Sequence, residues 1–150
     1  MGLLRLEKNG NEEVLYFLGK RIFTKINKSM QSFNPIEACC HIPSLQELLD
    51  KGTQFPHPYG IIISILANIG NNCTIYQNVT IGTDKYEHGG LEGYYPTIGS
   101  NVTIYSGAVI CGPVKIGDGA VIGANAVVKN DVPPKAVVVG VPAKIVKYLD

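Results

Sequence analysis

The stretch Ile98-Gly-Ser-Asn-Val-Thr is followed directly by Ile104, and the same stride of six carries on through Ile110-Cys-Gly-Pro-Val-Lys, Ile116-Gly-Asp-Gly-Ala-Val and Ile122-Gly-Ala-Asn-Ala-Val to Val128. Upstream the stride is already present at Ile63, Ile69, Ile75 and Ile81. A six-residue period matches neither the 3.6-residue turn of a helix nor the plain alternation of a long strand. It predicts one short strand and one corner per repeat, an internal repeat that decides the fold before local propensity is consulted.

The other positions say how the repeat packs. Each unit pairs a large aliphatic residue at its first position with a small apolar one at its fifth: Cys73, Val102, Val114, Ala120 and Ala126. Both are expected to point inward. Between them stand Gly, Asn, Asp and Ser, which turn a chain or tolerate positive φ. The register breaks once, because Ile81 and Ile98 are seventeen residues apart and about eleven residues are therefore inserted at one corner. The insertion reads Thr83-Asp-Lys-Tyr-Glu-His-Gly-Gly-Leu-Glu-Gly-Tyr-Tyr-Pro. A long polar, Gly- and Tyr-rich excursion from a rigid scaffold is where function usually sits.

Bulk properties exclude several partners. A formal net charge of +1 leaves no electrostatic footprint for nucleic acid or an anionic membrane. The longest apolar run, Ile61 to Ala67 with Ser64 inside it, is far too short to span a bilayer. Met1 to Arg5 leads straight into the charged pair Glu7-Lys8 with no secretory pattern, so a cytoplasmic protein is expected. Cys39, Cys40, Cys73 and Cys111 have neither redox-pair nor zinc-ligand spacing and read as reduced structural thiols. No metal site is predicted.

Ahead of the repeats, Val14-Leu-Tyr-Phe-Leu and Arg21-Ile-Phe-Thr-Lys-Ile flank Gly19-Lys20 and predict a small hairpin. Ser44 to Lys51 predicts a helix with Ser44 and Glu47 as a capping box, placed to cover the open end of the repeat stack. The expected organisation is an N-terminal appendage with its capping helix over 1–54. A repeat domain follows over 55–150, with an inserted loop at 83–95 and a C-terminal tail.

Over roughly residues 55 to 146 these units resemble the hexapeptide-repeat acyltransferases, and the serine acetyltransferases among them. The resemblance implies an all-β fold, a left-handed parallel β-helix in which three repeats make one triangular coil and the isoleucines form ladders inside a prism. It further implies acetyl-CoA as the acyl donor and a homotrimer with active sites between neighbours. The tail Asp131-Val-Pro-Pro-Lys-Ala-Val-Val-Val-Gly-Val-Pro-Ala-Lys is similar to the segment after the last coil in acetyl-CoA-dependent members. By the same alignment Ser106 and Gly107 meet the thioester and pantetheine arm, Ala124 lies one coil further on, and Lys129 and Lys144 fall near the cofactor phosphates.

Acetyl transfer to a hydroxyl needs a general base, and the chain has only His41, His57 and His88. His57, in Phe55-Pro-His-Pro-Tyr-Gly-Ile, matches the family's catalytic histidine when counted back from the shared Gly60. The match is incomplete. The family's substrate-binding aspartate is Pro56 here, its Arg-His-Pro reads Tyr94-Tyr95-Pro96, and the aspartate that orients its base falls near Cys40. Charged partners for an amino acid are thus missing, whereas Tyr59, Tyr94 and Tyr95 suit a sugar ring. The segment Tyr16 to Lys28 also resembles short peptides of enzymes that build bacterial surface glycans. His88, on the insertion, is a further candidate that would reach a neighbour's site. The expected reaction is direct, base-assisted O-acetylation of a sugar or polysaccharide precursor, with serine a poor acceptor. Serine O-acetylation is the nearest alternative, and a non-catalytic β-helix scaffold the alternative of another class. A γ-type carbonic anhydrase, which holds zinc with three clustered histidines, does not suit the wide spacing of His41, His57 and His88.

Overall fold

The computed structural model describes residues 39–83 and 94–150, together with strand segments 4–9, 12–17 and 20–23. Its contacts divide the chain into two units, Met1–Asn34 and Pro35–Asp150. The first unit is an antiparallel sheet of β1 (Leu4–Asn9), β2 (Glu12–Phe17) and β3 (Lys20–Phe23), in that order. The expected hairpin is the β2–β3 pair, although Lys20 belongs to the strand rather than the turn. β1 is an addition that the sequence pattern did not suggest.

The second unit begins with helix α1 (Leu45–Asp50) and continues through β4 (Ile62–Ile63), β5 (Asn68–Ile69), β6 (Thr74–Ile75), β7 (Thr80–Gly82), β8 (Thr97–Ile98) and β9 (Thr103–Ile104). Then come β10 (Val109–Cys111), β11 (Lys115–Ile116), β12 (Val121–Ile122), β13 (Val127–Val128), β14 (Ala136–Val139) and β15 (Lys144–Tyr148). Every third strand joins the same sheet. The first face is β13-β10-β7-β4, the second β11-β8-β5, and the third β15-β14-β12-β9-β6. All pairings within these faces are parallel except β14 with β15. The insertion is visible in the register, since Ile69 pairs with Ile98 across it while Ile98 pairs with Ile116 one ordinary coil later.

Three isoleucine ladders fill the prism. Ile63, Ile81, Ile110 and Val128 pair along the first face, and Ile75, Ile104 and Ile122 along the third, all essentially without solvent exposure. The small fifth-position residues Cys73, Val102, Ala120 and Ala126 are equally buried. Each fully buried isoleucine contributes about 1.5–3 kcal/mol relative to exposure. Val128, expected to end the series, is not the last rung. Val132 bridges to Ile116 and Val138 pairs with Ile122, so the tail adds inward residues at a shortened stride. The stride shortens between Val128 and Val132, and Pro133-Pro134 opens the next corner, where the earlier coils use Gly followed by Asn, Ser or Asp. β15 then folds back on β14 and covers an otherwise open edge.

At the other end α1 buries Leu45 and Leu48 in the same core, so the helix belongs with the repeats. The capping box does not form. Ser44 has φ −99° and ψ 26°, away from the extended geometry an N-cap side chain needs, and makes no side-chain cap bond. Glu47 instead pairs with Lys51 at 2.6 Å, and Lys51 also donates to the Ile69 carbonyl at 3.1 Å. His41 and Gln54 add single bridges to Ile62 and Thr74, which extend two faces by one partial rung.

Left-handed residues stack at two corners. Asn72, Asn101, Gly119 and Lys135 share the corner from the second face to the third, and Asn78, Gly107 and Asn125 the corner from the third to the first. At Gly107 (φ 71°) a Cβ would run into the Asn125 amide oxygen, so glycine here makes room for the asparagine of the next coil.

Candidate active site

The corner from the third face to the first carries His57. It sits on an exposed turn between Pro56 and Pro58, closed by a bond from the Tyr59 N–H to the His57 carbonyl at 2.8 Å. Successive corners then register on one another through backbone bonds. Asn78 N–H donates to Tyr59 O at 2.8 Å, Gly107 N–H to Gln77 O at 3.0 Å, and Asn125 N–H to Ser106 O at 2.9 Å. Rungs of a sheet lie about 4.8 Å apart, which puts Ala124 about 14 Å along the edge from His57.

Aromatic side chains follow the same edge. The Tyr76 ring stands 6.2 Å from the His57 ring at 46°, and Tyr76 and Tyr105 stack at 5.1 Å and 18°. Neither tyrosine was singled out from the sequence, yet a signal existed. Along the isoleucine series the next residue is glycine at Gly70, Gly82, Gly99, Gly117 and Gly123, small at Ser64 and Cys111, and tyrosine at Tyr76 and Tyr105. Gln77 was likewise missed. Its Oε1 is buried with no hydrogen-bond partner among the described residues, an acceptor that an incoming N–H or O–H would satisfy.

The structure therefore brings His57, Tyr59, Ser106, Gly107 and Ala124 to one edge, and Lys144 starts β15 opposite Val139, where the third face opens onto that edge. The Gly107 N–H is used inside the β-helix and is not available to a ligand, whereas the N–H groups of Ser106 and Ala124 have no partner among the described residues. Tyr94, Tyr95 and Lys129 lie elsewhere, at the corner from the first face to the second. Tyr95 lines a 480 Å³ cleft there with Lys51, Leu66 and Asn68, and no residue of the His57 edge takes part in it. His88 and most of the 83–95 loop lie outside the described residues.

The His57 edge carries no charge. Residues 55–60, 76–78, 105–107, 123–125 and 139–143 include no Asp, Glu, Lys or Arg, so among the described residues no carboxylate on this edge can hold the imidazole. Also among the described residues, no group of three His, Cys, Asp or Glu could hold a metal ion, and no helix is long and apolar enough to cross a membrane.

Residues 95–130 match the family model described as bacterial transferase hexapeptide, six repeats. The chain is 46% identical over 90 residues to a serine acetyltransferase of Mycobacterium tuberculosis, covering 60% of this chain and 38% of that protein. Among solved structures it is similar to Neisseria gonorrhoeae serine acetyltransferase in complex with serine, with TM-score 0.58 and 42% identity over 64% of this chain and 38% of that one. It is also similar to a serine acetyltransferase in complex with CoA, with TM-score 0.56 and 38% identity over 63% of this chain and 37% of that one. The chain thus spans about two fifths of the length of the relatives it matches. These likenesses place the fold among the left-handed parallel β-helices. With its strand register, matched repeats and neighbours in agreement, the repeat region of this chain is a hexapeptide-repeat β-helix similar to that of the serine acetyltransferases.

Proposed function

We propose that this chain is an acetyl-CoA-dependent O-acetyltransferase of the serine acetyltransferase type. The observation that carries the reading is the single edge on which His57, the unpartnered amides of Ser106 and Ala124, and the orphan Gln77 oxygen line up rung by rung. An extended thioester donor laid along this edge puts its acyl end beside His57 and its amide-bearing arm beside those polar groups. His57 takes the acceptor's hydroxyl proton as that oxygen attacks the thioester carbonyl. The tetrahedral oxyanion collapses, the C–S bond breaks, and the imidazolium returns the proton to the departing thiolate. An O-acetyl ester and the free thiol of CoA result, without an acyl-enzyme. Lys144 is the cation nearest the far end of this edge and suits the donor's phosphates. Lys129 serves only if a second copy brings its corner to the edge.

L-serine is the acceptor that the relatives' names and the serine-bound neighbour support, and it displaces the glycan precursor as the leading reading. One observation favours the second reading. Among the described residues the edge has no charged side chain beside His57 to meet an ammonium and a carboxylate, and a buried charge left unpaired costs several kcal/mol. A homotrimer is part of the proposal. Tyr94, Tyr95 and Lys129 stand at one side of the first face and His57 at the other, so a neighbouring copy would complete the site. The test follows CoA release with L-serine and with a hexose or glycan fragment, for the parent and for His57→Ala. Turnover with either acceptor, lowered about 10²–10⁴-fold in kcat by the substitution, supports the mechanism. Serine as the better substrate supports the leading acceptor; an inactive parent, or an active His57→Ala protein, overturns the reading.

A further inference from the structure

Resting on His57 as the base, we propose that Tyr76, seated on Tyr105, is the positioning residue that takes the place of a carboxylate partner. A base histidine needs two things from its surroundings: a fixed ring orientation, and compensation for the positive charge it acquires on taking the proton. An aspartate ordinarily supplies both. On this edge none is present among the described residues, and the ring that lies against the imidazole is Tyr76, at 6.2 Å and 46°. That separation lies within the range over which aromatic rings attract one another. The face of an electron-rich ring at about 6 Å also attracts a cation, so Tyr76 stabilises the imidazolium formed during transfer more than the neutral imidazole before it.

The column is built by the fold. Tyr76 donates its backbone N–H to Ile104 O at 3.0 Å and Tyr105 to Ile122 O at 2.9 Å, so each tyrosine springs from a backbone position locked to the next coil. The Tyr105 stack at 5.1 Å occupies one side of Tyr76 and leaves the His57 side as the other. Among the described residues the titratable groups near His57 are then Tyr59 on its own turn, Tyr76 and Tyr105 on the rungs beyond, and Cys39, whose carbonyl accepts from the Gly60 N–H. None of these is a carboxylate or a cationic side chain, so ring geometry is left to do what charge does elsewhere.

The experiment compares Tyr76→Phe, Tyr76→Leu and Tyr105→Leu with the parent and with His57→Ala, in the acetyl-transfer assay and by NMR of the His57 imidazole protons. Tyr76→Leu should lower kcat about 10-fold with KM for donor and acceptor unchanged, and Tyr76→Phe, which keeps the ring, should stay within about twofold of the parent. Tyr105→Leu should give a smaller loss, and it carries the test if Tyr76→Leu does not fold. The proposal is overturned if Leu retains the parent kcat, if Phe falls as far as Leu, or if the loss appears in KM. Should the parent prove inactive, or His57→Ala remain active, the acetyl-transfer reading fails separately and the NMR arm decides. A ring-current shift at His57 that survives in Phe and vanishes in Leu supports the seating; no difference between the two overturns it.

Discussion

Cys73 and His57 show how one prism treats two reactive side chains. His57 stands outside on a proline-flanked turn and is exposed. Cys73 occupies a small inward slot, fully buried, with its S–H donating to the Gly99 carbonyl at 3.2 Å. Burial pushes its thiol above the ordinary value of 9.0, because the thiolate is costly away from water. In the folded protein, Ellman's reagent should therefore label Cys39, which is exposed, and Cys40 and Cys111, which are half-buried, while Cys73 reacts only on unfolding. The linked pH effect has a definite sign. The folded thiol holds its proton to higher pH than the unfolded one, so its contribution to stability is complete below about pH 9 and is lost as pH rises through the folded value. Urea midpoints measured on both sides of about pH 9 should fall more in the parent than in Cys73→Ala.

At the scale of the element, each strand is only two to four residues long in the three faces, apart from β15, and no strand is stable alone. Stability comes from ladders, and a ladder makes inward and outward positions of one strand unequal. Ile62 and Ile63 are neighbours in β4, yet Ile62 is 50% exposed and Ile63 is 0% exposed. Ile110, on a central rung between β7 and β13, should cost about 2–5 kcal/mol when replaced by alanine, since the rungs above and below prevent the cavity from closing. Ile62→Ala should cost well under half of that. Thermal unfolding of the two variants checks the contrast, and equal losses would mean that the ladder is not what holds the coils together.

At the scale of the whole molecule, the first face and its flank present Ile62, Ile65 and Leu66 to solvent, with Ile65 66% exposed. The residues expected to act together stand at two different corners of one chain. A homotrimer would resolve both features, by covering the apolar positions and joining the corners across a subunit boundary. Light scattering at micromolar concentration should give about three times the 16.2 kDa chain mass. Ile65→Glu should weaken that assembly and lower acetyl transfer with it, since a charge placed in an apolar interface is costly to desolvate. A monomer that transfers acetyl groups at the parent rate would remove the shared site.

The repeat was legible in the sequence because the β-helix is quasi-one-dimensional: each residue's fate depends on its place within six and on the same place one coil away. From that period alone came the ladders, the inward small residues, the inserted corner and the placing of Ser106, Gly107 and Ala124 at one corner of the prism, while His57 was singled out through the resemblance. What needed the tertiary structure were features set by stacking between distant residues. The Tyr76–Tyr105 column joins positions twenty-nine apart across the insertion, and its meaning appears only when the two corners are superposed. The separation of Tyr94, Tyr95 and Lys129 from His57 depends on which of three corners each occupies, a matter of face order that residue identity does not disclose. The extra rung at Val132 and Val138 was hidden because the tail shortens its stride from six to four between Val128 and Val132, and the unformed capping box because residue types do not disclose Ser44's backbone angles. Periodic burial is a local property and can be read along the chain; juxtaposition is a property of the closed prism and cannot.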